Sequence, residues 1–329
     1  MKICVYGAGA IGGYLAVELA LSGQDVSVVA RGSHLEAIQK WGLTLQIQGR
    51  EKVARVLADS DPHALGAQDI MICALKAHHA FECAESFTPL LKTDTAVVTA
   101  MNGIPWWYFY KTGGPFEGRY LETVDPGGRQ WLSIAPQRAI GCVVEPACEI
   151  VAPGVIAHHQ FNRFIIGEPD GSRSHRVEQL SQLLTAAGFD APVRDNIRWN
   201  IWLKLWGNVC FNPISALTGA TLDRIIAEPG LRALCTTMML ETRGVNEALG
   251  VQIPLQMLER RLVAAGSVAG HKMSMLQDLE RGRTLEIDAL VTAVQELGRL
   301  TGVATPVIDA VLALVQERAR AAGLYNRLG

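Results

Sequence analysis

Residues 2–23 constrain this chain more than any other stretch. "KICVY" is a short β-rich run that breaks into "GAGAIGG" and then into the helical pattern "YLAVELALSG", which Gly23 stops. Gly7, Gly9 and Gly12 therefore satisfy G-x-G-x-x-G directly between a strand and a helix. In such a turn the first glycine permits the tight bend and the second lets backbone approach a pyrophosphate. The third allows close helix–strand packing, and the helix N-terminus offers unpaired N–H groups to the anion. The backbone of Gly7, Ala8, Gly9, Ala10, Ile11 and Gly12 is thus the expected cofactor seat. An ordinary glycine-rich turn would need neither the strand before it nor the helix after it.

The strands that follow extend the same theme. "DVSVVAR", "QDIMICAL" and "TAVVTAMNG" read as buried strands separated by helical segments, which implies a parallel sheet. "AIGCVVEPA", "GVIAHH" and "RFIIGEP" add further strands up to about residue 168. Beyond "GFDAPVRDN" the strand runs vanish and helical periodicity takes over, with breaks expected near Pro213, Pro229, Pro254 and Pro306. The expected fold is an α/β Rossmann-type N-terminal domain, residues 1–195, followed by an all-α domain, residues 196–329. A length of 329 residues suits two domains.

Composition removes several function classes. The formal net charge is −2 and no basic stripe is present, so nucleic acid and anionic membrane surfaces are poor partners. Seven cysteines form an odd, scattered set without a CxxC pair, which fits reduced thiols in the cytoplasm better than a disulfide frame or a zinc site. His78-His79 and His158-His159 lack partners at ligand spacing and are expected in loops or at strand ends; no metal is expected. Lys2 and the apolar run after it imitate a signal peptide, but the glycines weaken that reading and Glu18 interrupts the run. No stretch suits a membrane span.

Three strand ends carry polar candidates. The second strand ends in Arg31 and not in the acidic residue that would hold a ribose 2′-hydroxyl, which favours a 2′-phosphate and hence NADP. Asp25 lies before that strand and cannot substitute. Lys76 in "ALKAHH" and Asn102 in "TAMNG" lie where open α/β sheets bind ligands. Either could equally be a surface or turn residue.

The helical half holds the other unusual pattern, "WLKLWGNVCFNP" at 202–213. Lys204, Asn208 and Asn212 are spaced i, i+4, i+8 and share one helix face. The tryptophans at 199, 202 and 206 form a different stripe, expected in the core. A lysine in such apolar company calls for an anion or an acceptor nearby, unless its stem simply snorkels to water. Ser274 and Gln277 spell a helix capping box.

Taken together, these residues resemble the ketopantoate reductases (2-dehydropantoate 2-reductases). The family's K-x-x-x-N-x-x-x-N-P signature is present as Lys204, Asn208, Asn212 and Pro213. The glycine loop, Arg31, "LKA" with Lys76, "NG" with Asn102, and "SMLQDLERGRTLEID" with Ser274 and Glu286 occur in order. The resemblance implies hydride transfer from NADPH to the ketone of a 2-oxo acid, most simply 2-dehydropantoate in pantothenate biosynthesis. It implies Lys204 as general acid and Asn102, Asn208, Asn212 and Ser274 as substrate-binding residues. Glu286 would contact the cofactor and help orient the site, with Lys76 on the nicotinamide ribose. The two halves would meet around the substrate, as in other two-domain dehydrogenases.

One segment departs from the family pattern. Between Asn102 and Gly141 the family usually makes a shorter connection, whereas this chain carries five consecutive aromatic residues, Trp106 to Tyr110. A lid, a dimer contact (and so a homodimer) and an added hairpin are all open. A paralogue acting on another 2-oxo acid is the alternative enzyme. A silent NADP-binding sensor is the alternative class, though it would need only the glycine loop.

Overall fold

The computed structural model describes residues 1–326. The chain divides into two compact units. The first comprises Met1–Tyr120 and Gly127–Ile197; the second comprises Leu121–Pro126 and the chain from Arg198 onward.

The first unit is built on eleven strands: β1 Lys2–Tyr6, β2 Asp25–Val29, β3 Leu43–Ile47, β4 Arg50–Ala54, β5 Leu57–Asp59, β6 Gln68–Cys73, β7 Leu91–Thr99, β8 Ala139–Val144, β9 Ala147–Ala152, β10 Val155–Gln160 and β11 Phe164–Gly167. Seven of them form a sheet in the order β11-β8-β7-β6-β1-β2-β5, parallel except for β11. The chain runs outward from β1 through β2 to β5, then returns to place β6 on the other side of β1. The β1/β6 crevice is therefore the topological switch point, where such sheets bind ligands. Asp25 proves to be the first residue of β2, opposite Lys2, so it lies at the end of the sheet away from the glycine turn.

Helix α1, Ala10–Leu21, is apolar on nearly every side because it lies between layers. A second, four-stranded sheet (β4-β3-β10-β9) packs against it, so closely that a Cβ on Gly13 would stand 2.6 Å from Ile156. A helix hydrophobic all round is stable only when buried in this way. Its one carboxylate, Glu18, is 8 % exposed and pairs with Lys52 of β4 at 2.7 and 2.8 Å.

The aromatic segment after β7 contains no strand among the described residues. It is neither a hairpin nor an exposed flap. Trp106, Trp107, Tyr108 and Phe109 are all buried, and the Trp107 indole N–H donates to the Thr99 hydroxyl at 3.0 Å. Gly141 faces the Trp107 ring, where a Cβ would come within 2.9 Å. These rings enlarge the core.

In this unit the helices after α1 are α2 Gly32–Trp41, α3 Ala77–Glu82, α4 Arg129–Ile134 and α5 His175–Ala186. His78 and His79 fall within the first turn of α3, not in a loop or at a strand end. His158 and His159 are strand residues of β10. All seven cysteines are free thiols.

The second unit is helical: α6 Ile197–Thr218, α7 Leu222–Ala227, α8 Pro229–Ala248, α9 Gln256–Gly266, α10 Ser274–Glu280, α11 Ala293–Thr301 and α12 Pro306–Ala321. Pro229 and Pro306 occupy the first turns of α8 and α12, where a missing N–H costs nothing. Pro213 is different from expectation, because α6 runs through it. Packing outweighs propensity there: Trp202, Trp206, Val209 and Cys210 are wholly buried. The Trp206 indole donates to Asn246 Oδ1 at 2.8 Å, and Asn246 in turn donates to Val251 O. Residues 121–126 join this unit through Glu296, whose carboxylate accepts the N–H groups of Glu122 and Thr123 at 2.9 and 2.8 Å. No helix of the described chain is long and apolar enough to cross a membrane.

Candidate active site

Each glycine of the first turn has its own geometric reason. Gly7 adopts φ +98°, a region that side chains rarely enter, and a Cβ there would also strike Leu75 at 2.7 Å. A Cβ on Gly12 would stand 2.0 Å from the Gly7 carbonyl oxygen, so only glycine closes this turn onto the helix. Gly9, by contrast, faces open space and N-caps α1 without any side-chain hydrogen bond. The helix N-terminus is thereby bare and approachable, as an anion requires.

His34 locks this turn in place, a role that no local sequence pattern announces. Its Nε2 donates to the Ala8 carbonyl at 2.7 Å, while Nδ1 accepts the Gly154 N–H at 2.9 Å. The two bonds together fix the ring tautomer. Arg31 N-caps α2 at the end of β2; its side chain is exposed and has no ion pair among the described residues.

Next to the glycine turn, the ends of β6 and β7 continue the row. Ala74 N–H donates to Tyr6 O and Ala100 N–H to Cys73 O, both at 2.9 Å. Lys76 N-caps α3 in extended conformation just past β6. Two buried polar atoms in this region have no hydrogen-bond partner among the described residues: His78 Nε2 and Asn102 Oδ1. Native structures rarely leave such atoms unsatisfied without a ligand or water to meet them. Burial, reinforced by the charges of His79 and Lys76, pushes the His78 imidazole down to about 4. Burial pushes the Cys4 and Cys73 thiols, on β1 and β6, up to about 12, so they pack and do not react. These residues fit a dinucleotide: a bare helix N-terminus for its pyrophosphate, an exposed guanidinium for a 2′-phosphate, and unpaired polar atoms of His78 and Asn102 in the segments that follow β6 and β7.

In the second unit, α6 carries Lys204, Asn208 and Asn212 along one face. Lys204 and Asn208 are partly buried, whereas Asn212 is 1 % exposed. Asn212 Oδ1 accepts the Ser274 hydroxyl at 3.1 Å and the Met275 N–H at 3.2 Å. The expected capping box of Ser274 and Gln277 is not formed. Met273 is the N-cap of α10, Ser274 is its first helical residue, and Gln277 Nε2 donates to Lys272 O instead. The amide oxygen of Asn212 reaches the α10 N-terminus from another helix and takes the donors that a local cap would have used. Asn212 and Ser274 are thus bonded to each other, and Lys204 and Asn208 share the α6 face that carries Asn212.

Glu286 does not sit within a helix. It precedes Ile287, held between the buried side chains of Leu285 and Ile287, and the helix after it opens with a π turn, Asp288–Thr292. That irregular turn is fastened by Asp288 Oδ1, which accepts the hydroxyls of Thr292 at 2.8 Å and Tyr325 at 2.7 Å. Wide turns of this kind recur at functional sites.

The chain matches known proteins along nearly its whole length. Residues 3–171 match the family described as ketopantoate reductase PanE/ApbA, and residues 196–319 match its C-terminal counterpart. A 2-dehydropantoate 2-reductase of Mesorhizobium japonicum is 57 % identical over 327 residues, covering 99 % of this chain and 100 % of that one. A second, from Pyrococcus horikoshii, is 26 % identical and covers 97 % of each chain. Among solved structures, a protein of Ralstonia solanacearum MolK2 assigned as a ketopantoate reductase superposes with TM-score 0.94 at 43 % identity, over 98 % of this chain and 99 % of that one. The chain belongs to the ketopantoate reductase family.

Proposed function

We infer that the protein is an NADP-dependent oxidoreductase that reduces 2-dehydropantoate to pantoate, a step of pantothenate biosynthesis, and that it works in the cytoplasm. The observation that carries the catalytic reading is the polar face of α6, where Lys204 and Asn208 stand in line with an Asn212 already tied to Ser274. NADPH, when bound, supplies the hydride.

The chain's own residues do the rest. Backbone N–H groups of the Gly7–Gly12 turn bind the pyrophosphate, and Arg31 selects the 2′-phosphate. Lys76 and Asn102 position the nicotinamide ribose, and Glu286 orients the cofactor side of the site. Lys204 gives its proton to the ketone oxygen as negative charge develops there, which both stabilises and quenches the alkoxide. Asn102, Asn208, Asn212 and Ser274 hold the 2-oxo acid by hydrogen bonds to its carboxylate and carbonyl. A sensor would need none of the α6 face.

The test is a panel of 2-oxo acids, with NADPH oxidation followed by the near-ultraviolet absorbance of reduced nicotinamide. 2-Dehydropantoate should give the highest kcat/KM. A bulkier or aromatic 2-oxo acid that outcompetes it would reassign the substrate while leaving the reaction type in place.

A further inference from the structure

The side chain of Arg261, on α9, lies over Gly207 of α6. Its Nη2 donates to the carbonyl oxygen of Lys204 at 3.1 Å. A Cβ built on Gly207 would stand 2.9 Å from that same Nη2 and 3.5 Å from Nε. Gly207 is helical, with no positive φ to explain it, and glycine inside a helix is destabilising relative to alanine. The absence of a side chain is what opens the notch that the guanidinium fills.

The carbonyl it touches is not an arbitrary one. In α-helical geometry the oxygen of residue 204 is the acceptor for the N–H of residue 208, so this peptide joins the turn bearing both Lys204 and Asn208. A planar guanidinium seated in a fitted notch can fix such a turn in a way that a flexible ammonium cannot.

We propose that Arg261 is a positioning residue for the reaction, seated in the Gly207 notch to hold the Lys204–Asn208 turn of α6 in register for proton delivery. This rests on the reading of Lys204 as general acid. Arg261 touches neither substrate nor cofactor in this role; it acts through the backbone of Lys204. Alignment of a general acid is sensitive to displacements of about 1 Å, which can cost on the order of a hundredfold in rate.

Two variants reach the same contact from opposite sides. Gly207→Ala places a methyl group 2.9 Å from Nη2, too close for both to stay, and the far end of a long side chain can move aside without unfolding the helix. Arg261→Leu removes the guanidinium and keeps an apolar stem. Steady-state kinetics on both should show kcat reduced roughly tenfold or more, with KM for the 2-oxo acid changed less and NADPH Kd unchanged. The double variant should be no slower than Arg261→Leu alone, because both changes remove one interaction. Arg261→Lys should fall between, and guanidinium salt in millimolar amounts should restore part of the rate of Arg261→Ala. Wild-type kcat in folded Gly207→Ala, additive losses in the double variant, or equal losses in NADPH binding and kcat would each overturn the proposal. Lys204→Met separates the two levels. If it turns over normally, the general-acid reading fails; if it is inactive while Gly207→Ala is normal, only the role of Arg261 fails.

Discussion

Asn212 Oδ1 holds the N-terminus of α10, accepting both the Ser274 hydroxyl and the Met275 N–H. The oxygen of this amide is thus committed to structure, and a hydrogen bond from its nitrogen to the 2-oxo acid is the second, proposed role. The two roles can be separated by substitution. Asn212→Ala should lower stability by roughly 1–3 kcal/mol, since it leaves the buried Met275 N–H and the part-buried Ser274 hydroxyl without this acceptor. Asn212→Asp should retain more of that stability, because a carboxylate still accepts both bonds and complements a helix N-terminus. It should nevertheless raise KM for the 2-oxo acid about tenfold, by replacing a donor with a charge that repels the substrate carboxylate. Thermal unfolding and steady-state kinetics check the pair. An Asp variant with unchanged KM would leave Asn212 a structural residue only.

Arg31 stands at the end of β2 with an exposed guanidinium and no ion pair among the described residues to satisfy. Arg31→Ala should therefore leave folding intact and weaken NADPH binding by roughly tenfold to a hundredfold, the scale of a charge-assisted hydrogen bond of ~1.5–3 kcal/mol. NADH, which lacks the 2′-phosphate, should bind nearly as before. Isothermal titration with both cofactors decides it, and equal losses for the two would sink the assignment.

What could be read in advance follows a physical division. The glycine turn was legible because its constraints are local and steric: no other residue at 12 can lie 2.0 Å from the Gly7 carbonyl. The α6 face was legible because helical period places residues 204, 208 and 212 together whatever the surroundings. The second sheet was not, because its β3–β4 hairpin turns through Gln48 and Gly49, both at positive φ. Glutamine gives no signal for that conformation, unlike the Asn-Gly pair such turns favour. The capping box misled because S-x-x-Q is a local motif, whereas the actual cap reaches across 62 residues. Pro213 misled for the same reason, since burial of the residues around it keeps α6 intact.

His78 gives the fold a specific response to acid. Its folded pKa is pushed from 6.5 down to about 4, chiefly by burial. Between these values the unfolded chain binds a proton there that the native state does not, so stability rises with pH across this window and is lost as pH falls through it. His271 is shifted in the same direction by burial, so the total slope is shared. The difference between wild type and His78→Phe isolates one residue. The variant should lose less stability than wild type as pH drops from 6.5 toward 4, measured by denaturant unfolding at each pH. Parallel curves would mean that the imidazole is protonated in the native state after all.

Lys204 is the residue on which the proposed chemistry turns. It lies partly buried on α6 between the wholly buried Trp202 and Trp206, with its backbone carbonyl bonded to Arg261. A general acid must be protonated when substrate is bound and must reach the ketone oxygen at about 3 Å. Removing such a group typically costs a factor of 10² to 10⁴, roughly, in turnover, because the alkoxide is then left to draw its proton from water. Lys204→Ala tests this imperfectly, since it also deletes the stem that packs along the helix. Lys204→Met keeps most of that volume and removes only the ammonium. It should fold, bind NADPH as wild type does, and turn over at least about a hundredfold more slowly. Single-turnover measurement under saturating NADPH distinguishes a slow chemical step from slow product release. A Met variant that reduces the 2-oxo acid at the normal rate would make this lysine a snorkelling residue and require the proton to come from elsewhere.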